Sequence, residues 1–367
     1  MREADGMTYR QYLAAVGVAL FSPVSRLLPD AVLRRAGFSG WLAPLAAAPL
    51  LLGLTAVHRR LLRPGGETRS LGEALEARLG PVPGKAASAL LCLWILFYGG
   101  IILRSGGERI LATVYPTGRL WVFAGGILVL GAVFALGELR WAGRSAMMTF
   151  LFFAAALLAV FAMALPGIHG SAVWPPDPGR SGDILRAAVP VADVLSPWFC
   201  FSFLRGRVTE EGNGLPRALR GMLGMLLLVL LFLIATIGAL GPELALRQQY
   251  PFYVMIKNLR IFGGKERFDA LTVAIWMTTD YVCVGMLLLS ASEGLRSLVS
   301  ARRRQPFVPV CAGGMLMAAV VSARSAFTFA RLSETAVPAV NLSVAFLLLP
   351  LISCLPGKNL KKKKNRC

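Results

Sequence analysis

Charge is scarce in this sequence. Of its 367 residues, 16% are charged and 56% are hydrophobic. A water-soluble domain needs a charged surface, so this balance excludes one. Acidic residues are half as common as basic ones, 19 against 39, which leaves a formal net charge of +20. Histidine occurs only at positions 58 and 169, both at span ends or in loops and far apart, so neither serves as a paired base or ligand. No CxxC pair or Cys/His cluster is present. Cys92, Cys200, Cys283, Cys311 and Cys354 fall in or beside apolar runs and Cys367 is terminal. They suggest neither a disulfide frame nor a zinc site and read as small packing residues. The glycine pairs Gly99-Gly100 and Gly106-Gly107 lack P-loop context and read as points of close helix packing. Nothing resembles a catalytic constellation or calls for a cofactor. No small-residue cleavage site follows the first apolar run, so no cleaved signal peptide is expected.

Long apolar runs fill the sequence instead, and mean hydropathy is +0.63. A membrane-spanning helix needs about 20 mostly apolar residues, and a helix satisfies its own backbone inside lipid. Ten segments are predicted to span: 9–29, 38–58, 86–114, 119–137, 145–166, 184–204, 216–241, 267–293, 307–323 and 335–355. The expected architecture is an all-α polytopic membrane protein, a single domain over 1–367 ending in a basic tail at 356–367. Lys and Arg cluster in alternate connections: Arg59 to Lys85, Arg140 and Arg144, Arg205 to Arg220, Arg296 to Arg304, and the run Lys361–Lys364; the other connections are poorer, except 242–266 with Arg247, Lys257, Arg260 and Lys265. The positive-inside bias then places both termini in the cytoplasm. Because the basic residues are scattered in loops and a tail, they fit anionic lipid rather than nucleic acid. The stretch 242–266, containing Tyr250-Pro251-Phe252-Tyr253, reads as an amphipathic helix at the outer interface.

Span 1 is interrupted by Ser22-Pro23-Val24-Ser25, and span 6 by Pro190 and Ser196-Pro197-Trp198, five spans later. Paired interruptions are what an inverted-repeat transporter leaves in its sequence. An ordinary proline kink is the competing reading. Span 3 carries Arg104 and Glu108 on one helical face, followed by Arg109. That pair is either a gate beside a permeation route or two residues reaching the interface. Asp280 lies near the middle of span 8, where a carboxylate is by default a proton or amine site, and Asp193 in span 6 is a second candidate.

Several pieces in order, Pro29, Gly40-Trp41, Arg104 with Glu108, Tyr250-Pro251, and Glu266-Arg267-Phe268-Asp269 followed by Trp276, give a resemblance. The chain resembles the B subunit of the nutrient germinant receptors of bacterial spores, a branch of the amino acid–polyamine–organocation transporters. The resemblance implies two inverted five-helix repeats (about 9–166 and 184–355), with helices 1 and 6 broken. It implies a nutrient pocket between those helices, walled by spans 3 and 8. The family's Gly-x-Gly break falls on Ser22-Pro23-Val24, and Pro23 has no N–H to offer a carboxylate. The implied ligand-binding set is Ser22, Pro23, Val24, Ser25, Tyr98, Ser196, Pro197, Trp198, Thr279 and Cys283; Arg104, Glu108, Asp193 and Asp280 are proton or gate candidates. The implied role is a spore inner-membrane subunit that senses an amino acid or similar nutrient and signals to a large membrane A subunit and a lipoprotein C subunit. A proton-coupled amino-acid transporter is the alternative, and a structural subunit without a nutrient site is a third class.

Overall fold

The computed structural model describes residues 6–63, 68–168, 170, 174–175, 178–209, 214–259, 269–322 and 326–356. His169, Arg260, Lys265, the Glu266-Arg267-Phe268 piece, the lysine run and Cys367 lie outside the described residues.

Among the described residues the chain is nearly all helix. Helix α1 (Tyr9–Ala36) starts on a capping box, in which Thr8 and Gln11 satisfy each other's backbone amides, and stops at Gly37. A short 3₁₀ stretch, Gly37–Leu42, leads into α2 (Ala43–Leu62). The next helix, α3 (Leu71–Leu79), begins on the capping box Ser70/Glu73. Then come α4 (Pro81–Thr113), α5 (Leu120–Leu136), α6 (Leu139–Ala164) and α7 (Ser181–Leu195). At Ser196 the winding tightens to a 3₁₀ helix through Arg207. The second half holds α8 (Gly214–Leu240), the short α9 (Pro242–Leu246) and α10 (Pro251–Lys257), α11 (Asp269–Leu298) and α12 (Phe307–Val321). The last helical run joins α13 (Ala326–Arg331), α14 (Val337–Leu342) and α15 (Leu349–Cys354) through π turns at Leu332–Ala336 and Ser343–Leu348.

Among the described residues seven helical runs are long and apolar enough to cross a membrane, and α5 and α12 are shorter apolar helices. The first run, Tyr9–Leu62, is 54 residues long and contains both α1 and α2. The chain is therefore an integral, multi-pass membrane protein. Leu90, Leu93, Val122, Leu151, Phe152, Val310 and Leu351 are exposed on its outside, where lipid tails would cover them. Inside, α11 is the hub, packed against α1, α4, α5, α6, α12 and the 3₁₀ helix.

Three expectations need correction. Span 1 is not broken: α1 continues through Ser22-Pro23-Val24-Ser25 and past Pro29. Each proline removes one amide and frees one carbonyl, of Ala19 and of Ser25. One lost bond does not unwind a turn that is buried on every side and packed against α7, α11 and α6. In span 6 the interruption is a change of helix type rather than an unwound gap. Runs of 3₁₀ helix this long are uncommon and mark strain or a hinge. The 242–266 stretch is not one interfacial helix. Its described part forms α9 and α10, and Phe252, Tyr253, Met255 and Ile256 are buried. The aromatic positions explain this: Phe252 packs on Phe232 at 4.9 Å and Tyr253 stacks on Trp276 at 5.8 Å, so the segment docks onto the bundle.

Candidate functional site

A cavity of about 700 Å³ opens at the end of the bundle where α1 finishes. Its walls are the C-terminal half of α1, α7, the upper part of α4, Gln249-Tyr250 before α10, and the first π turn. At its floor, Arg26, Leu27, Asp193, Val194 and Ser333 are shared with a narrow cavity of about 10 Å³, which also touches Pro23, Tyr98 and Asn341. That lower space suits a single water.

The floor is built by five elements, α4 contributing Tyr98. Pro23 and Arg26 project from α1, Asp193 from α7, Ser333 from the π turn and Asn341 from α14. A π turn shifts the register of the side chains after it, which is one reason such turns occur at functional sites. Asp193 is buried, and its Oδ1 accepts from Asn341 Nδ2 at 3.2 Å. Asn341 Oδ1 in turn accepts from Trp94 Nε1 at 3.1 Å. The indole therefore fixes which way the Asn341 amide points. Trp94→Phe deletes that donor and keeps an aromatic side chain; a stability loss of about 1 kcal/mol is expected, read as a lower Tm of the purified protein.

Above the floor, Arg104 and Glu108 form an ion pair of 2.8 Å. Arg104 also donates to the Ala319 carbonyl at 3.2 Å and lies over the Phe329 ring at 5.0 Å. Glu108 lines the large cavity. Tyr250 lies at the rim, edge-on to Trp276 at 5.9 Å. Burial raises its pKa, with Arg26 and Arg109 pulling the other way, so the phenol stays neutral at ordinary pH.

Asp280 is not a lone carboxylate. Its Oδ2 accepts from Arg109 Nη2 at 2.5 Å, and its Oδ1 from Ser22 Oγ at 2.5 Å. Both charged side chains are almost fully buried, and the Arg109 guanidinium lies 4.5 Å from the Trp276 ring centroid. This network ties α1, α4 and α11 together at mid-height.

The opposite end is closed. The two-residue strands β1 (Met7–Thr8) and β2 (Val208–Thr209) pair in parallel, joining the start of α1 to the end of the 3₁₀ helix. Arg205 lies over Tyr9 at 4.7 Å and over Tyr12 at 5.4 Å. Glu293 holds Arg296 at 2.7 Å and Arg207 at 3.3 Å. His58 Nε2 and Ser202 Oγ are 2.6 Å apart. The space left here is about 40 Å³.

The sequence-predicted residues divide accordingly. Pro23, Tyr98 and Asp193 meet at the narrow cavity, and Glu108 faces the large one. Ser196 and Trp198 face the closed end. Ser22, Val24, Ser25, Pro197, Thr279 and Cys283 are buried and line none of these three cavities, nor does Arg104 or Asp280. Thr279 Oγ1 is spent on the Trp276 carbonyl at 3.0 Å, and Ser25 Oγ on that of Ser22 at 3.1 Å. Sequence reasoning passed over Arg26, Ser333 and Asn341 as site residues. A charge inside span 1 was the available signal for Arg26; nothing local marks Ser333.

The profile of a family described as spore germination protein matches residues 14–327. The chain belongs to that family. Like this spore germination protein, the crystal structure of MhsT in complex with L-phenylalanine is built on the same fold. The two superpose with a TM-score of 0.65 at 13% sequence identity, over 95% of this chain and 89% of the other. A search of curated proteins gives no match.

Proposed function

We propose that this spore germination protein is the B-type membrane subunit of a nutrient germinant receptor. It binds a small nutrient, an amino acid or a similar molecule, at the floor of the large cavity and passes a conformational signal to its partners. The observation that supports this most is the contrast between the two ends. A cavity of about 700 Å³ descends to Asp193 and Pro23, while β1–β2 pairing, Arg205 on two tyrosines and the Glu293 ion pairs hold the other end shut. A ligand that contacts α1, α7 and the π turn together binds the arrangements in which they are close more tightly, and so shifts the population toward them. No covalent chemistry is required.

The rest of the reading follows from the same premise. The helices make ten passes as two inverted repeats, 9–166 and 184–355, with both termini in the cytoplasm and the chain in the spore inner membrane. The partners are a large membrane A subunit and a lipoprotein C subunit, with anionic lipid at the basic face. MhsT, crystallised in complex with L-phenylalanine, lends the fold and the precedent of an amino acid complex.

Two measurements on the purified chain test this. Thermal unfolding in detergent against the twenty proteinogenic L-amino acids is expected to show a raised Tm with a small subset. Proteoliposomes carrying a proton gradient are expected to accumulate none of those ligands. Robust concentrative uptake would make the protein a proton-coupled transporter, while no thermal response to any nutrient would make it a structural subunit.

A further inference from the structure

The floor of the large cavity holds three polar groups with unspent capacity. Arg26 makes no hydrogen bond or ion pair with any described residue, although it lines both the large cavity and the narrow one. The other arginines lining the large cavity are engaged: Arg34 on Asp30 at 2.8 Å and Arg35 on the Ala31 carbonyl at 2.7 Å. Ser333 is 4% exposed, and its hydroxyl has no hydrogen-bond partner among the described residues. Asp193 gives Oδ1 to Asn341, and its other oxygen makes no hydrogen bond with a described residue. A half-buried cation with no hydrogen bond to a described residue, a buried hydroxyl and a buried carboxylate with one oxygen unspent are costly inside a membrane protein, and side chains so placed mark a ligand's position.

We infer that Arg26 and Asp193 form a two-charge clamp for a zwitterion: Arg26 takes the carboxylate and Asp193 the ammonium, with Ser333 Oγ hydrogen-bonded to the carboxylate. This rests on the proposed nutrient site and narrows it to free α-amino acids. The chemistry follows from α1. Its helix is unbroken and Pro23 carries no N–H, so bare amides at Ser22-Pro23-Val24 are not offered to an anion. A guanidinium one turn further along supplies the missing donors, in a fork that matches a carboxylate. The opposing carboxylate is held in place by the Trp94–Asn341 relay.

The test is equilibrium binding to the purified full-length chain, first with the twenty L-amino acids. For each binder the probes are then its decarboxylated amine and its N-acetyl derivative. The wild type is expected to bind each probe on the order of 100-fold more weakly than the parent amino acid. Arg26→Gln is expected to lose affinity for the amino acid by a similar factor and to stop distinguishing it from the amine. Arg26→Lys is expected to recover part of the loss. Asp193→Asn is expected to stop distinguishing the amino acid from the N-acetyl form. Unchanged Tm and monodispersity of these variants separate lost binding from lost folding. Arg26→Gln binding at wild-type strength would overturn the clamp, as would wild-type protein binding the amine as tightly as the amino acid. Binding of an uncharged nucleoside or sugar with no amino acid bound would sink the clamp and spare the nutrient-sensor reading. Absence of binding to every nutrient would sink both.

Discussion

Arg109→Ala is expected to lower the stability of the protein by about 3–5 kcal/mol, because it takes away the hydrogen-bonded counter-charge of the buried Asp280 carboxylate. The arginine and aspartate side chains are 1% and 2% exposed, and Asp280 keeps only the Ser22 hydroxyl once the guanidinium is gone. The pair itself is imperfect: Arg109 Nε and Nη1 have no hydrogen-bond partner among the described residues, and the Trp276 ring serves in their place. An imperfect buried pair contributes less to stability than the loss of one partner suggests. The double variant Arg109→Met/Asp280→Asn is therefore expected to be more stable than Arg109→Ala, since it removes both charges and keeps an acceptor for Ser22. Thermal unfolding of Arg109→Met, Asp280→Asn and the double variant closes the cycle. If Arg109→Ala unfolds at the wild-type temperature, the pair does not hold α4 to α11.

Gly100→Val is the second large effect. A Cβ at this position would lie 2.7 Å from Ala318 Cβ, the Ala319 amide nitrogen and the Met315 carbonyl oxygen. Two of those atoms are backbone, so no rotamer change relieves the clash, and α4 and α12 must separate. Overpacking costs about 1–3 kcal/mol where side chains can yield, and more is expected here. Separation would also draw the Ala319 carbonyl away from Arg104, and so release the guanidinium that pairs with Glu108. Gly125 in α5 has nothing within 4 Å of its Cβ position, and Gly125→Val is expected to leave the melting temperature unchanged. Folded yield and Tm of the two variants, side by side, provide the check; equal behaviour would mean that α4 and α12 do not touch closely at Gly100.

The residues that were legible in the sequence are those whose meaning is local. Apolar runs near 20 residues marked the spans, and the glycine pairs of α4 marked close packing, which the contacts of Gly100 with α12 and of Gly106 with Asp280 display. Ser70 and Glu73 spelled a capping box, yet α3 was passed over because its nine residues are too short to span. Pro23 was over-read. Its missing amide is visible in the sequence, but whether a helix unwinds there depends on the neighbours packed around it. Asp280 was visible as a mid-span acid, while its partner Arg109 is 171 residues away, and no local pattern pairs them. Ser333 was invisible for a related reason: a π turn places it at the cavity floor, with Asn341 following in α14, and the turn has no residue signature.

Reactivity of a thiol placed at the cavity floor tests the central claim most directly. In a chain with Cys354 and Cys367 replaced by Ser, Ser333→Cys is to be treated with a small water-soluble methanethiosulfonate, with and without each amino acid. The new thiol is expected to react from solvent and to be protected by those amino acids that raise the Tm. A thiol that never reacts, or one that reacts at the same rate with every amino acid present, would contradict a nutrient site at the meeting of α1, α7 and the first π turn.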